Sequence, residues 1–293
     1  MKPGPAATAD WVEAHFELSA EPTDLADVIV LVGTADGWFR SPEEAAEKAE
    51  AWKKRLANRL ATLLSASRED NRPSRFDFNS SAEFTIQGIC FVSASEDDGD
   101  AIEAKRARAL SDHYRDQIRS MDDRDFEAIC RGVLSLLGCV SPTLTAKSGD
   151  QGIDVFGEIP MNGRLGHNYL LGGPDALMTA WIAGQAKKYT IPVEVADIHQ
   201  FVGAYEMARK GIFHGDGGTI QAFTPLPYQP VWLFFFTTGK LTRGAWQLAR
   251  RGGMIVLDEA TIAALLADRK IATVAGLYWQ TRFSAWTSGQ VAQ

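Results

Sequence analysis

Two apolar, strand-like stretches of this sequence carry polar residues where a buried strand tolerates few of them. The stretch 153–158 contains Asp154, and the stretch 181–189 contains Gln185 and Lys187. Side chains alternate between the two faces of a strand, so Gln185 and Lys187 share a face. If the two strands are neighbours, a carboxylate, an amide and an ammonium group meet at one edge of a sheet.

A lone aspartate inside an apolar strand is costly unless it is paired or binds a metal. Alternation places Asp154 on the face of Phe156, opposite Ile153 and Val155. Carboxylate and amide oxygens hold divalent cations, and a lysine beside them can orient a water or neutralise a developing phosphate charge. The pattern therefore predicts a site for metal-assisted phosphate chemistry.

The segments that carry these residues resemble a known family. SGDQGID (148–154), QAKKY (185–189) and the long stretch from FFFTTGK to EATIAALL (234–266) resemble the Mrr-type restriction endonuclease domain. That family belongs to the PD-(D/E)xK nucleases, and the resemblance is to the variant with glutamine in place of the acid before the lysine. The helix-like stretch 126–139 resembles the family's first helix. The resemblance runs over 123–267, about half of the chain.

The resemblance implies an α/β fold with a restriction-endonuclease-like core, in which helices flank a mixed central sheet. It also implies an endonuclease that hydrolyses phosphodiester bonds of DNA with Mg²⁺, for which Mn²⁺ can substitute, in defence against foreign DNA. The implied catalytic residues are Asp154, Gln185, Lys187 and Glu127. Asp154, Glu127 and Gln185 are the implied metal ligands.

Glu127 has two interpretations. It lies just beside the apolar stripe of a helix predicted over 123–137, where a surface pair with Arg131 at i+4 would be an ordinary feature. The resemblance favours the second interpretation, in which Glu127 reaches the metal and restores the acid that Gln185 lacks.

Six further residues are expected to contact nucleic acid. Two glycines permit tight turns and a close approach of the DNA backbone. Hydroxyl and basic groups follow the strand predicted over 231–238, where they face the start of a helix, although helix capping alone would explain the hydroxyls. The six residues are Gly149, Gly152, Thr237, Thr238, Lys240 and Arg243.

Length and charge predict two domains. A chain of 293 residues favours an N-terminal α/β or α+β domain over 1–120, of unknown role, and a nuclease domain over 121–293. Residues 1–120 hold 22 acidic and 15 basic residues, and the whole net charge of −7 lies there because 121–293 hold 15 of each. We expect the acidic part to repel the phosphate backbone and so to restrain DNA binding.

Periodicity and capping residues predict the elements of both parts. The lead before Trp11 is expected to be disordered, and 65–75 is expected to be a loop. The connections 160–179 and 213–230 are expected to be surface insertions. Strands are predicted over 11–18, 27–33, 84–93, 153–158, 181–189, 231–238 and 254–257, and helices over 41–64, 101–119, 123–137, 197–210, 241–251 and 259–267.

Composition limits the setting. No run of about 18 apolar residues predicts a membrane span, and three cysteines without metal-ligand spacing fit a reducing cytoplasm. DNA is the expected partner, and a homodimer or a partner protein or small ligand at the N-terminal domain is left open. Three alternatives to a restriction enzyme are kept: a repair or junction-resolving nuclease, an inactive nucleic-acid-binding or scaffold protein, and a ligand- or partner-activated effector.

Overall fold

A computed structural model describes residues 2–146, 152–162, 164, 174–213 and 218–291. The chain forms two compact units, Met1–Ser111 and Asp112–Gln293. The boundary between the units falls after Ser111, the first residue of the helix Ser111–Ser120, and the boundary predicted at residue 120 lies at the other end of that helix. No described helix has the length and apolar character needed to cross a membrane.

The first unit consists mainly of helices around a small antiparallel sheet. In that sheet the central strand, β3, pairs with β1 and β2 on its two sides. This arrangement is α+β, one of the two classes that the sequence predicts. Its elements are α1 (Pro5–His15), β1 (Thr23–Asp24), α2 (Leu25–Ala35), α3 (Pro42–Glu69), β2 (Phe76–Phe78), β3 (Thr85–Gly88) and α4 (Gly99–Ala109).

Two predicted strands of this unit are wrong. The stretch 11–18 lies largely in α1, which begins at Pro5 in the lead that the sequence predicts to be disordered, and 27–33 lies in α2. The run 27–33 is apolar enough for either structure. A helix forms because the Asp24 side chain caps its N-terminus and accepts a hydrogen bond from the Ala26 N–H at 2.7 Å.

The helix predicted from Ser41 is confirmed at its start. The Ser41 hydroxyl accepts a hydrogen bond from the Glu44 N–H, as expected of an N-cap. Helix α3 continues to Glu69, so the loop predicted over 65–75 begins too early, and the strand predicted over 84–93 is reduced to β3. Before α4, Asp97 forms an ion pair with Lys105 at 2.7 Å, so this carboxylate has a structural role.

The second unit is built on a mixed sheet whose described strands lie in the order β4-β5-β6-β7-β8. The β4, β5 and β6 pairings are antiparallel, whereas β6, β7 and β8 are parallel. Helices flank this sheet, and the predicted fold class is confirmed. The elements are α5 (Ser111–Ser120), α6 (Asp123–Leu137), β4 (Val140–Leu144), β5 (Val155–Pro160), β6 (Thr179–Lys187), α7 (Val195–Arg209), β7 (Val231–Thr237), α8 (Arg243–Arg251), β8 (Ile255–Asp258), α9 (Glu259–Asp268), β9 (Thr273–Val274), β10 (Leu277–Tyr278) and α10 (Gln280–Val291).

Helix α6 has clear start and stop signals. The Asp122 carboxylate accepts a hydrogen bond from the Asp125 N–H, and Gly138 ends the helix with a φ of 96°. Strand β4 follows at once and was not predicted, because its short, partly exposed sequence contains Pro142. Proline is tolerated there because β4 is the edge strand of the sheet.

One core of the second unit lies between the sheet and helices α7 and α8, and it includes Phe156, Phe201 and Phe235. The stretch 213–230, expected to be a surface insertion, contributes to it. Phe223 is buried and meets Phe156 edge to face at 5.7 Å between ring centroids. The insertion therefore has a packing role that its glycines and prolines did not indicate.

A buried carboxylate joins α5 to α9. Glu259 is 7% exposed, and its two oxygens accept hydrogen bonds from Arg115 Nε and Arg119 Nε, each at 3.0 Å. Tyr114 of α5 also donates a hydrogen bond to the Ile271 carbonyl. These contacts are the reason that α5 belongs to the second unit.

We expect Glu259→Ala to lower the free energy of unfolding by about 2 kcal/mol, because it leaves the poorly exposed Arg115 with only its longer ion pair, to Asp112 at 3.5 Å. The loss is smaller than for a fully buried pair because the Arg119 side chain is 57% exposed. Urea denaturation measures it, with the exposed Glu47→Ala as control at about 0.5 kcal/mol or less. Equal effects of the two substitutions would show that the pairing does not stabilise the fold.

Candidate active site

Asp154 is held just before β5 by backbone and side-chain hydrogen bonds. Its N–H donates to the Gly184 carbonyl at 2.9 Å, and its Oδ2 accepts from the Ala186 N–H at 2.6 Å. Thr145 donates both its N–H and its hydroxyl to the Asp154 carbonyl. The carboxylate is 5% exposed and fixed against the end of β6.

Ile153 does not lie on the face of the sheet that the sequence predicts for it. Ile153 packs in the same core cluster as Phe156, and Val155 does not belong to that cluster. Strict alternation would place Ile153 with Val155, but β5 begins only at Val155, and Gly152 turns the chain with a φ of 82°. The period-two rule does not apply to residues before the strand.

Gln185 and Lys187 lie on β6, the neighbour of β5. Gln185 is 1% exposed, and its Oε1 has no hydrogen-bond partner among the described residues. A buried acceptor without a hydrogen bond lowers the stability of the fold, and it indicates a site for a cation or for a hydrogen-bond donor. Lys187 is partly exposed, and its Nζ lies 6.0 Å from the ring centroid of Tyr189.

Glu127 of α6 pairs with Arg124, so the pairing with Arg131 is wrong. Arg124 Nη1 donates to Glu127 Oε2 at 2.8 Å and to the Thr145 carbonyl at 2.7 Å. Since Thr145 also binds the Asp154 carbonyl, hydrogen bonds connect the two acids. Arg131 is buried elsewhere and donates to the carbonyls of Pro142 and Gln290.

The buried thiol of Cys130 lies within electrostatic reach of both acids. Burial raises the pKa of Cys130 well above its ordinary value, and the charges of Asp154 and Glu127 raise it further. The described residues contain no group of three or more His, Cys, Asp or Glu side chains able to hold a metal ion. A cation held by Asp154 and Glu127 would need a further ligand, and the Gln185 amide oxygen is a candidate.

These groups fit a hard divalent cation. Mg²⁺ prefers oxygen ligands and usually binds through one or two carboxylates, with waters and phosphate oxygens completing its shell. Asp154 and Glu127 supply carboxylates, and the unpartnered Gln185 Oε1 supplies a buried neutral oxygen. To bind the metal, Glu127 would have to give up its ion pair with Arg124.

A cleft of about 340 Å³ opens beside Gln185, and neither Asp154 nor Glu127 lines it. Gln185 and Lys187 line it from β6, and Gln200, Gly203 and Met207 line it from α7. The sequence alone did not indicate Gly203 or Met207, because their side of α7 carries no motif. His199, in the same turn as Gln200, is exposed and does not line the cleft.

Gly152 also lines the cleft, and its conformation explains the glycine. At a φ of 82°, a Cβ added there would lie 2.7 Å from the Ala204 Cβ, so a side chain would be both strained and blocked. Gly149 lies outside the described residues, as do Asp150, His167 and His214. The expected contacts of Gly149 and Gly152 with nucleic acid remain predictions.

The residues after β7 divide into two groups. Thr237 is fully buried and its hydroxyl accepts from the Gly239 N–H, while the Thr238 hydroxyl donates to the Tyr189 carbonyl. These hydroxyls therefore brace the turn, and Thr242 caps α8. Lys240 and Arg243 are exposed and available to solvent-side ligands.

Residues 118–225 match a family model of the Mrr catalytic type, described as a restriction endonuclease. The resemblance is confirmed for this stretch, which includes Glu127, Asp154, Gln185 and Lys187, and it supports a nuclease domain in the second unit. The match ends before β7. No curated protein matches the sequence.

Two solved structures are similar to this chain. The MspJI restriction endonuclease in complex with a 27-mer oligonucleotide is 19% identical, with a TM-score of 0.37, over 69% of this chain and 38% of that chain. The DNA modification-dependent restriction endonuclease AspBHI is 18% identical, with a TM-score of 0.38, over 71% and 46%. The matched parts are thus less than half of either protein.

Two glycines of the cleft should respond in opposite ways to alanine. We expect Gly152→Ala to lower the free energy of unfolding by about 2 kcal/mol, since it combines a positive φ with a clash against Ala204. Gly203→Ala should raise it by about 0.5–1 kcal/mol, because Gly203 lies inside a helix and an added Cβ meets nothing within 4 Å. Thermal or urea unfolding of both variants checks this, and a loss of stability in Gly203→Ala would contradict the described geometry.

Proposed function

We propose that this chain is a metal-dependent endonuclease that hydrolyses phosphodiester bonds of DNA. The observation that carries the proposal is that a fixed Asp154 carboxylate and a Gln185 oxygen without a hydrogen-bond partner among the described residues lie at the same end of two neighbouring strands. These residues lie within the stretch that matches the restriction endonuclease model. Defence against foreign DNA, in the cytoplasm, is the proposed setting.

The proposed reaction assigns a role to each side chain. When bound by Asp154, Glu127 and Gln185, Mg²⁺ would polarise the scissile phosphate and lower the pKa of the attacking water. Lys187, at the mouth of the cleft, holds that water or balances the charge that develops on the phosphate oxygens. Asp154 keeps its orientation through the Ala186 N–H throughout.

DNA would reach this site along a basic surface. Lys240 and Arg243 are exposed after β7, and Lys187 ends the neighbouring strand β6. Their charges suit sequence-independent contacts with phosphates. We assign the first unit, with 20 acidic and 13 basic residues up to Ser111, to sensing, dimerisation or partner docking.

A ligand- or partner-activated effector is the second candidate, and the Glu127–Arg124 ion pair favours it. In the structure this carboxylate is engaged by a guanidinium at 2.8 Å. Both partners lie on α6, so an activator that drew the Arg124 side chain away from Glu127 would release the carboxylate. A purified protein that cuts DNA with Mg²⁺ alone supports the simple nuclease, and cutting only after addition of an activator supports this second candidate.

We expect Asp154→Asn and Lys187→Met each to lower the rate of plasmid cleavage in Mg²⁺ by about 10²–10⁴-fold, because each removes a group acting at the reacting atoms. Calorimetry with Mn²⁺ should separate them: Asp154→Asn weakens metal binding, whereas Lys187→Met retains it. Lys188→Met is the matched control, and we expect it to cut at the wild-type rate. Wild-type cleavage by either site variant would refute its assigned role.

Arg124→Met should strengthen Mn²⁺ binding on the order of tenfold, because it removes a positive charge that competes for Glu127. Calorimetry measures the dissociation constant without any need for cleavage. The exposed Arg282→Met serves as control for the loss of a distant charge. Unchanged or weaker Mn²⁺ binding in Arg124→Met would show that Glu127 is not part of the metal site.

A further inference from the structure

The cleft between β6 and α7 is larger than a metal ion and its waters require. Its volume of about 340 Å³ lies at the lower end of the roughly 300–1,000 Å³ typical of small-molecule sites. Gln185 lines its inner wall with a buried oxygen that has no partner among the described residues. The proposed function assigns this oxygen to the cation, so the space that remains beside it, towards α7, indicates a second occupant of the cleft.

The wall contributed by α7 differs in character from the β6 wall. Met207 is 51% exposed and offers a polarisable thioether, and Gln200 is exposed and offers an amide donor and acceptor. Methionine sulfur packs favourably against aromatic rings, and glutamine amides pair with the edges of bases. Between them, Gly203 leaves open space where other residues would place a side chain.

We propose that this cleft takes one nucleotide of the DNA strand, next to the scissile phosphate at Lys187. The base would lie over Gly203, between the Met207 thioether and the Gln200 amide. This inference rests on the proposed nuclease function and adds a base-binding subsite to it. Gly203 is then a specificity-determining position, because any side chain there occupies the volume of the base.

The distinguishing substitution is Gly203→Leu. A leucine would fill the cleft from an exposed helical position, where its Cβ meets no neighbouring atom, so the fold should tolerate it. We expect the full-length variant to cut duplex DNA with kcat/KM lowered by about tenfold, as for the loss of one hydrogen bond and the contacts of one base. Mn²⁺ affinity should stay at the wild-type value. Val202→Leu, exposed on the same helix but outside the cleft, is the matched control.

Duplexes with a single abasic site, placed in turn at each position beside the mapped cut, test the base itself. At one position the missing base should lower wild-type kcat/KM by about tenfold, and Gly203→Leu should cause no further loss on that substrate. Wild-type kcat/KM for Gly203→Leu on intact DNA, or losses that multiply at every position, would overturn the proposal.

A binding measurement keeps the two proposals separate. The affinity of a labelled oligonucleotide for wild type and for Gly203→Leu, in EDTA, does not depend on cleavage. If the wild type cuts no DNA, the nuclease function fails, and a weaker affinity in Gly203→Leu still supports the subsite. Equal affinities would reject the subsite whether or not the wild type cuts.

Discussion

The hydrogen bond from the Ala186 N–H to the Asp154 carboxylate fixes the acid on which the proposed active site depends. It joins the residue before β5 to the end of β6 and holds a carboxylate at the ends of two inner strands of the sheet. A hydrogen bond to an ionised acceptor is about twice as strong as a neutral one, which offsets part of the cost of burying the carboxylate. Gln185 and Lys187 flank the donor, so the same strand that fixes the acid also carries its two partners.

The sequence predicts elements well where local signals and burial agree. Ser41, Asp122 and Gly138 mark helix ends, and the apolar run 231–238 predicts a central strand. Prediction from the sequence fails where burial alone decides which structure a segment adopts. The β-branched run 27–33 has no period that separates a strand from a buried helix, and the core position of Phe223 depends on contacts with residues far away in sequence.

Predictions about the candidate site also succeed where a local pattern decides and fail where distant contacts decide. Strand alternation places Gln185 and Lys187 together, but helix spacing cannot choose between the partners of Glu127. Arg124 at i−3 and Arg131 at i+4 are equally plausible neighbours. The choice is made by carbonyl groups outside the helix: those of Pro142 and Gln290 engage Arg131, and that of Thr145 engages Arg124. A single sequence does not show which backbone carbonyl groups the fold brings close to these two arginines.

A neutral residue at position 185 has a physical consequence for the proposed reaction. A carboxylate there, 1% exposed and one residue from the donor to Asp154, would add a third like charge to a region that already holds Asp154 and Glu127. An amide removes that repulsion and keeps an oxygen ligand, but it also weakens the attraction for a cation. The negative charge of a DNA phosphate would restore the attraction for the cation that the amide lacks. Metal and DNA should therefore each bind more tightly in the presence of the other, by the same factor. A Gln185 site is therefore suited to bind its cation more tightly with the substrate present than without it.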